Sequence, residues 1–208
     1  MTAPVTARGM ETRARVLAAA EKVFGEKSYY RVSIADITRE AGVGQGTFYV
    51  YFPSKEAVFR ELVQQRAHEL RAATRLAAEQ ADGDRLEAER AGFAAFFRFI
   101  DQHRQLYRVV RQAEFVDEAL YRDYYRAFAD GYCAALKGAM DRGEIAPMDP
   151  EILAYCLMGI GDFVGMRYVI WTGEAIAPDA LDNVVRLIQY GLTGSQDVRT
   201  EGGVGKQE

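Results

Sequence analysis

Apolar residues in this chain recur three and four positions apart, between breaks marked by glycine, proline and short polar runs. That spacing places them on one face of an α-helix, whereas a half-buried strand needs strict alternation with polar residues, which does not persist here. The sequence therefore predicts an all-α fold. Nine helices are expected, at about 9–25, 34–41, 44–51, 54–81, 85–102, 105–113, 118–142, 150–172 and 179–192.

Composition is compatible with a globular core and offers little for metal or disulfide chemistry. Hydrophobic residues make up 49% and charged residues 27% of the 208 residues. The two cysteines, Cys133 and Cys156, form no readable disulfide framework and are expected to be plain buried thiols. Neither His68 nor His103 lies near a cysteine or another histidine, so no metal site and no cofactor are expected.

The sequence gives no sign of export or of membrane insertion. The first residues, MTAPVTARGM, lack the apolar region of a secretory signal. The most apolar late stretch, Gly159 to Trp171, contains Asp162 and Arg167 and looks too short to span a bilayer. We therefore expect a cytoplasmic protein.

Charge is distributed unevenly along the chain, whose formal net charge is −4. Residues 1–60 hold nine basic and six acidic residues, a net +3, whereas residues 61–208 hold seventeen and twenty-four, a net −7. A basic front on an acidic body indicates that only the front meets a polyanion, although such a split also arises by chance.

Residues 33–52 carry the most specific signal. Ser33-Ile34-Ala35-Asp36 is a capping box that starts one short helix, and Ala41-Gly42-Val43-Gly44 is a tight turn leading into a second. An exposed short helix of this kind fits the major groove of DNA, although an ordinary helical hairpin would have the same spacing. The second helix would present outward Gln45, Gly46, Thr47, Tyr49 and Val50.

The residues themselves strengthen this interpretation. The series Ser33-Ile-Ala-Asp-Ile37, Ala41-Gly-Val43-Gly-Gln-Gly-Thr47-Phe-Tyr49-Val-Tyr51-Phe-Pro-Ser-Lys55-Glu closely resembles the N-terminal domain of the tetracycline-repressor (TetR) family. The resemblance covers roughly residues 9–60. It implies a DNA-binding domain over 9–60, an effector-binding and dimerisation domain over 61–193, and flexible tails at 1–8 and 194–208.

The resemblance also implies roles for single residues. Gln45 matches a position that reaches bases, and Thr47 and Tyr49, with Gly46 beside them, match positions that touch bases or phosphates. Tyr51 and Lys55 match phosphate contacts, and Ser33 matches a helix cap whose N-terminus points at phosphate. The chain departs from the family pattern at Ser28, Thr38 and Gly44, and Gly44 puts the cap of the recognition helix in doubt.

The body of the chain is rich in aromatic residues, which either fill a core or surround an effector cavity. Charges among them must be paired or face a ligand, because an isolated buried charge is costly. An arginine facing the cavity would favour an acid or an acyl thioester as effector. The candidate contacts are Tyr107, Arg108, Arg111, Phe128, Asp162, Met166 and Arg167.

By the same resemblance, the last two helices form a two-fold dimer interface. Gly159, Gly161 and Gly165 suggest close helix contact, because glycine inside a helix costs about 1 kcal/mol relative to alanine. The apolar residues expected to supply the interface are Ile152, Cys156, Leu157, Ile160, Val164, Val184, Leu187, Ile188 and Leu192.

The leading hypothesis is a homodimeric repressor that binds an inverted-repeat operator in double-stranded DNA and is released by a small hydrophobic effector. The alternative is a helical enzyme or ligand-binding protein that uses the aromatic cavity without binding DNA. An enzyme is not expected, because no phosphate loop, Gly-x-Ser-x-Gly elbow or acid–base pair is evident. A helical interaction module with a decayed DNA-binding head is a further alternative.

Overall fold

The computed structural model describes residues 6–193, and within that range the chain folds into nine α-helices without a strand. The predicted tail 194–208 lies outside the described residues, and residues 7 and 8, expected in a flexible tail, are the first turn of α1. The helices are α1 Ala7–Glu26, α2 Ile34–Ala41, α3 Gln45–Tyr51, α4 Lys55–Glu79, α5 Arg85–Gln102, α6 Arg104–Val116, α7 Glu118–Asp141, α8 Pro150–Gly165 and α9 Pro178–Thr193.

Two irregular segments were not predicted. A short 3₁₀ turn, Tyr29–Arg31, joins α1 to α2. A π-helical turn, Met166–Thr172, continues α8 without a break. The π turn ends at Gly173, whose φ of 70° lies in the left-handed region that glycine adopts readily.

The capping box predicted for α2 is confirmed, and α7 and α8 also begin at side-chain caps. Ser33 accepts a hydrogen bond from the backbone N–H of Asp36, and the Asp36 carboxylate accepts one from the N–H of Ser33, which completes the capping box of α2. Asp117 and Asp149 cap α7 and α8 with their side chains. Gly42 ends α2 at φ 64°, so the tight turn into α3 has the expected conformation.

Two apolar cores hold the helices together. The front core lies among α1–α3 and the first half of α4, and it also contains Val109 and Ala113 of α6 and Leu120 of α7. The rear core lies among α4–α9. The front core therefore extends beyond residues 9–60, and α6 belongs to both parts of the molecule.

The stretch Gly159 to Trp171 is part of a longer segment, Pro150–Thr172, that by length and composition alone could cross a membrane, a test that the core helix of a soluble protein also passes. One side of it packs in the rear core through residues such as Leu153, Ala154 and Leu157.

The glycines of this segment lie in different surroundings. A Cβ on Gly165 would lie 2.3 Å from the Tyr107 hydroxyl, whereas a Cβ on Gly159 would meet nothing within 4 Å.

Candidate functional site

The short helix α3 is anchored by one side and exposed on the other. Phe48 is fully buried in the front core, and Val43 and Tyr51 pack against the same core. The opposite side exposes Gln45, Gly46 and Tyr49, while Thr47 is half-buried. Gly44 is the N-cap and offers no side-chain cap, which leaves the backbone N–H groups at the start of α3 accessible to an outside acceptor.

Lys55, at the start of α4, is half-buried and already has protein partners. Its Nζ donates to the backbone oxygens of Tyr29 and Val32, both at 2.9 Å, and lies 4.2 Å from the centre of the Tyr29 ring. Burial lowers the pKa of Lys55. Since an ammonium group has three N–H donors, one donor remains for a phosphate.

Ser33 is exposed, but its hydroxyl is not free. It donates to the Asp36 carboxylate at 2.6 Å and accepts from the Asp36 N–H at 3.1 Å. The hydrogen bonds from Ser33, together with Lys27, hold the pKa of Asp36 well below its usual range. A carboxylate therefore occupies the N-terminus of α2, where the sequence predicted a site for phosphate.

A cavity of about 900 Å³ lies in the body of the protein, between α4, α5, α6, α7 and α8. Four of the seven predicted effector contacts line it, namely Tyr107, Arg111, Phe128 and Asp162. It follows α7 from Tyr124 to Gly138, fourteen residues apart, which corresponds to about 21 Å of helix. Its shape thus suits an elongated ligand.

Arg108, Met166 and Arg167, which were also expected to contact the effector, do not line the cavity. Successive residues of an α-helix are turned by about 100°, so Arg108 points away from the side that holds Tyr107. Met166 lies one turn beyond Asp162 and is buried in the rear core. Arg167 is exposed and stacks over the ring of Tyr168 at 4.8 Å.

One polar cluster of the cavity surrounds Asp162. Its side chain forms no hydrogen bond or ion pair with the residues that the structure describes, and burial raises its pKa, against a smaller effect of Arg111. Burial and the Asp162 charge raise the pKa of Tyr107, Tyr124 and Tyr125, which remain neutral phenols at any physiological pH. Phenols next to a carboxylate can donate or accept hydrogen bonds to a ligand.

Several arginines of the cavity wall were missed by sequence reasoning. Arg75 pairs with Glu79, Arg85 with Glu89, and Arg142 with Glu144. Arg71 instead stacks over the Phe128 ring at 5.6 Å. Among the described residues, Arg71 and Arg111 are the lining arginines without an ion pair. The Arg85–Glu89 spacing of four residues was visible in the sequence, but it is more typical of an exposed helix pair.

The opposite side of α6 holds the end of α1. Gln112 donates from Nε2 to the Phe24 backbone oxygen at 2.8 Å and accepts from the Tyr29 N–H at 2.5 Å. Arg108 donates to the Gly25 oxygen at 3.4 Å. A displacement of α6 at the cavity would therefore alter its hydrogen bonds to the end of α1 and to the turn that precedes α2.

Apolar side chains on α8 and on α9 face solvent. Of the residues predicted for an interface, Ile152, Cys156 and Leu187 are exposed, and Ile160 and Val164 are half-buried. Leu157, Val184 and Ile188 are instead buried in the rear core of the same chain, and Leu192 is not described at side-chain level. Three further exposed apolar side chains, Tyr155, Phe163 and Tyr190, were not predicted from the sequence.

The two cysteines differ in exposure. Cys133 is half-buried, whereas Cys156 is exposed and is not the buried thiol expected.

Comparisons with known proteins agree with this arrangement. Residues 16–62 match the family model described as bacterial regulatory proteins, tetR family. The chain is 27% identical to the uncharacterized HTH-type transcriptional regulator YdgC of Bacillus subtilis, over 92% of this chain and 98% of YdgC. It is 33% identical to the HTH-type transcriptional regulator EthR of Mycobacterium tuberculosis, over 50% of this chain and about half (49%) of EthR.

A solved structure shares the fold. The transcriptional regulator FadR of Bacillus subtilis, in complex with stearoyl-CoA, superposes with a TM-score of 0.77 and 18% identity. The superposition covers 86% of this chain and 98% of the FadR chain. The likeness extends through the helices that surround the cavity as well as through α1–α3.

Proposed function

We propose a mechanism for this chain, which belongs to the tetR family of bacterial regulatory proteins and is a DNA-binding transcriptional regulator rather than an enzyme. The protein is a cytoplasmic homodimer that represses transcription from an inverted-repeat operator. A small, largely hydrophobic effector with an acidic group or an acyl thioester releases it from DNA.

The exposed side of α3 supports the DNA-binding part of the proposal. Gln45 is exposed at the start of this helix, and its amide can pair with an adenine edge in the major groove as donor and acceptor. Gly46, Thr47, Tyr49 and Tyr51 lie on the same short helix and would contact the neighbouring bases and backbone. Lys55 would contact a flanking phosphate through its one remaining N–H donor, and Ser33, whose hydroxyl is bonded to Asp36, would lie near the backbone without donating to it.

The exposed apolar surface of α8 and α9 supports the dimer. A monomeric protein rarely exposes several large apolar side chains on one contiguous surface. Ile152, Phe163, Leu187 and Tyr190 are each more than 60% exposed. A two-fold interface pairs the same surface of both subunits, which would cover these side chains and set the distance between the two α3 helices.

The cavity supports an effector with a long apolar part and an anionic end. Its length along α7 and its lining phenylalanines suit an alkyl chain. Arg71 and Arg111 are the lining arginines that form no ion pair within the described part of the chain, so they would hold the anion. FadR, which shares the fold, was crystallised with stearoyl-CoA, an acyl thioester of the same general class.

The observation that carries the proposal is the position of α6 between the cavity and α1. Tyr107 and Arg111 line the cavity, while Arg108 and Gln112 bind the last carbonyls of α1. An effector that binds better to a shifted α6 would favour a different spacing of the two α3 helices. DNA favours one spacing, so the two ligands compete by linkage. α4 is a second connection, because it also lines the cavity and forms the ion pairs Arg13–Glu61 and Arg66–Glu21 with α1.

DNA selection followed by release tests this function. Duplexes selected by the protein from a random pool should share an inverted repeat, with half-sites about one helical turn or a multiple apart. Stearoyl-CoA and tetradecanoate should release the labelled duplex in a fluorescence-anisotropy titration. Arg111→Gln should weaken release by these probes while leaving DNA affinity unchanged, and Arg98→Gln, on an exposed part of α5 outside the cavity lining, is the matched control. The proposed function is refuted if the selected duplexes share no inverted repeat, or if these probes release Arg111→Gln from DNA as readily as wild type.

A further inference from the structure

Asp162 of α8 is a carboxylate in the wall of the cavity. Met158 lies one turn before it on the same helix and lines the cavity as well, so this side of α8 is turned to the cavity. Asp162 is half-buried rather than sealed in the core. The hydroxyl of Tyr107, which also lines the cavity, donates to the Asp162 backbone oxygen at 3.4 Å.

The Asp162 carboxylate shares its part of the cavity with groups from three other helices. Burial and the Asp162 charge raise the pKa of Tyr107 on α6, against a smaller effect of Arg111 on the same helix. They likewise raise the pKa of Tyr124 on α7, against a smaller effect of Arg71 on α4. All of these residues line the cavity, so Asp162 faces the region in which the two arginines would hold the anion of the effector.

No group that the structure describes donates a hydrogen bond to this carboxylate. Burial raises the pKa of Asp162, and the only opposing effect is the charge of Arg111. A carboxylate that is partly withdrawn from water and has no donor is costly, so native proteins supply one from the protein, from water or from a ligand. For Asp162 the donor can come from the contents of the cavity.

The charges around Asp162 favour a neutral donor. Arg111 favours the ionised form of Asp162, and together with Arg71 the cluster then has an excess of one positive charge, which a single anionic group of the effector neutralises. A cationic donor on the effector would restore this excess inside the cavity, where an unpaired charge is costly. A hydroxyl group donates to a carboxylate without adding charge, and such charge-assisted hydrogen bonds are stronger than neutral ones.

We propose that the Asp162 carboxylate accepts a hydrogen bond from a hydroxyl group of the effector, close to its anionic end, so that the effector is a hydroxylated alkyl acid and Asp162 is the residue that selects it. The anionic end rests on the function proposed above, whereas the hydroxyl contact rests on the position of Asp162 in the cavity. A plain alkyl acid brings a negative charge close to Asp162 and no donor, and therefore binds less tightly.

Three acids with the same alkyl chain test the hydroxyl contact in calorimetric titrations of the full chain. The acid 3-hydroxytetradecanoate has a donor beside the anion, tetradecanoate has the anion alone, and 3-methoxytetradecanoate keeps the added oxygen but not its hydrogen. We expect the better-bound enantiomer of the hydroxy acid to bind wild-type protein about tenfold more tightly than either of the other two acids, the effect of one added hydrogen bond to a charged acceptor.

Asp162→Leu tests the assignment because leucine has the same branched shape as aspartate but no acceptor. Loss of the Asp162 charge strengthens the binding of every acid, so the readout is the ratio between the hydroxy acid and tetradecanoate, which should fall below about twofold. Asp162→Asn keeps a neutral acceptor and should lower the ratio to about threefold, which provides a second test if the leucine variant does not fold. Glu79→Leu is the matched control, since Glu79 also lines the cavity but is already paired with Arg75, and it should keep the tenfold ratio.

Several results would overturn the proposal. Wild-type protein that binds the hydroxy acid no better than tetradecanoate or the methoxy acid has no donor contact. A ratio that survives Asp162→Leu, stays at tenfold in Asp162→Asn, or disappears in Glu79→Leu assigns the contact to another group. If Asp162 is instead protonated and donates to the anion itself, tetradecanoate binds Asp162→Leu less tightly than wild type and the hydroxyl gives no preference, which also overturns the proposal.

Methyl 3-hydroxytetradecanoate, which has the donor without the anion, distinguishes failure of this inference from failure of the proposed function. If the ester binds as tightly as the hydroxy acid and weakens in Asp162→Leu, then the hydroxyl contact stands and the anionic anchor is wrong. If tetradecanoate and the hydroxy acid bind equally well and both weaken in Arg111→Gln, then the anionic anchor stands and the hydroxyl contact is wrong. Absence of binding by all four probes refutes both.

Discussion

Gln112 of α6 donates from Nε2 to the backbone oxygen of Phe24, 2.8 Å away, in the last turn of α1. The last four carbonyls of a helix have no partner within the helix, so Gln112 satisfies one that would otherwise be open. Its Oε1 accepts from the N–H of Tyr29 in the following turn. One side chain thus joins α6, which lines the cavity, to the turn that leads from α1 into α2 and α3.

Removing this side chain should uncouple the effector from DNA. For Gln112→Ala we expect a loss of about 1–3 kcal/mol in unfolding free energy, because the Tyr29 N–H and the Phe24 carbonyl lose their partner. Effector affinity should stay the same, while the effector concentration that releases DNA should rise by about tenfold, as expected for a coupling of 1–3 kcal/mol. Urea unfolding, calorimetry and anisotropy measure the three quantities.

Gln102→Ala is the matched control for this variant, because Gln102 is exposed at the end of α5. It should change neither stability nor release. Normal release by Gln112→Ala, with the expected loss of stability, would mean that the coupling runs through another contact of α6.

Dimerisation should depend on the exposed apolar surface of α8 and α9. A charge placed there would be buried without a partner in the proposed dimer, so Phe163→Glu and Leu187→Glu should each yield monomers of 23.3 kDa at micromolar concentration, where we expect twice that mass for the wild type. Phe115→Glu is the control, since Phe115 is 75% exposed on α6, away from this surface. Light scattering after size exclusion measures the mass. A dimer that survives both α8 and α9 variants would require another interface.

The sequence predicted local features better than contacts between helices. Capping residues and the left-handed Gly42 act within a few positions along the chain, so their patterns were readable. The α8 segment is apolar on all sides, so its periodicity could not tell Leu157, which is buried, from Phe163, which is exposed. Arg85 and Glu89 have the spacing of an exposed helix pair, and their burial depends on helices that are distant along the chain.

The effector contacts illustrate the same limit. Tyr107 and Arg111 are four residues apart, so helix geometry alone places them on one side, and both line the cavity. Arg108 is three residues from Arg111, so spacing alone does not separate them, and only the contact of Arg108 with the Gly25 oxygen places it towards α1. Asp162 lines the cavity and Arg167 does not. This difference depends on how α8 and the π-helical turn after it pack in the folded protein, which spacing along the chain does not reveal.

Asp162 should make stability depend on pH. Burial among three phenols raises its pKa above that of the unfolded chain, so the folded state binds the proton more tightly than the unfolded state does. The resulting stability is fully present below the unfolded pKa, near 3.8, and is lost as pH rises through the higher folded value. Asp162→Asn does not titrate and should therefore gain stability relative to wild type as pH rises from about 4 to about 7.

Urea unfolding at a series of pH values gives this difference directly. Asp179→Asn is the control, because Asp179 is an exposed carboxylate in the first turn of α9, and its removal should leave the pH dependence of wild type in place. A difference between Asp162→Asn and wild type that is constant with pH would show that the carboxylate is not desolvated.

The close approach of α8 to α6 should tolerate no side chain at Gly165. A Cβ there would lie 2.3 Å from the Tyr107 hydroxyl and 2.6 Å from Cδ1 of Ile100, so Gly165→Ala should destabilise the protein by about 1–3 kcal/mol through overpacking. Gly131→Ala in α7 meets nothing within 4 Å and should instead stabilise it by up to about 1 kcal/mol. Thermal and urea unfolding measure both. Equal effects of the two substitutions would contradict the observed packing.

Gln45 and Lys55 should affect DNA binding in different ways. Gln45→Ala removes an exposed amide on α3 and should relax preference at one base pair per half-site, by about 1–3 kcal/mol, with little change in salt dependence. Lys55→Ala should weaken binding to all sequences alike and reduce the slope of log K against log salt by about one for each phosphate that is no longer neutralised. Because Lys55 also donates to the Tyr29 and Val32 oxygens, its substitution should lower stability too, whereas Gln45→Ala should not. Titrations of matched and single-mismatch operators at several salt concentrations separate these effects. The roles are misassigned if Lys55→Ala changes base preference, or if Gln45→Ala weakens every sequence equally.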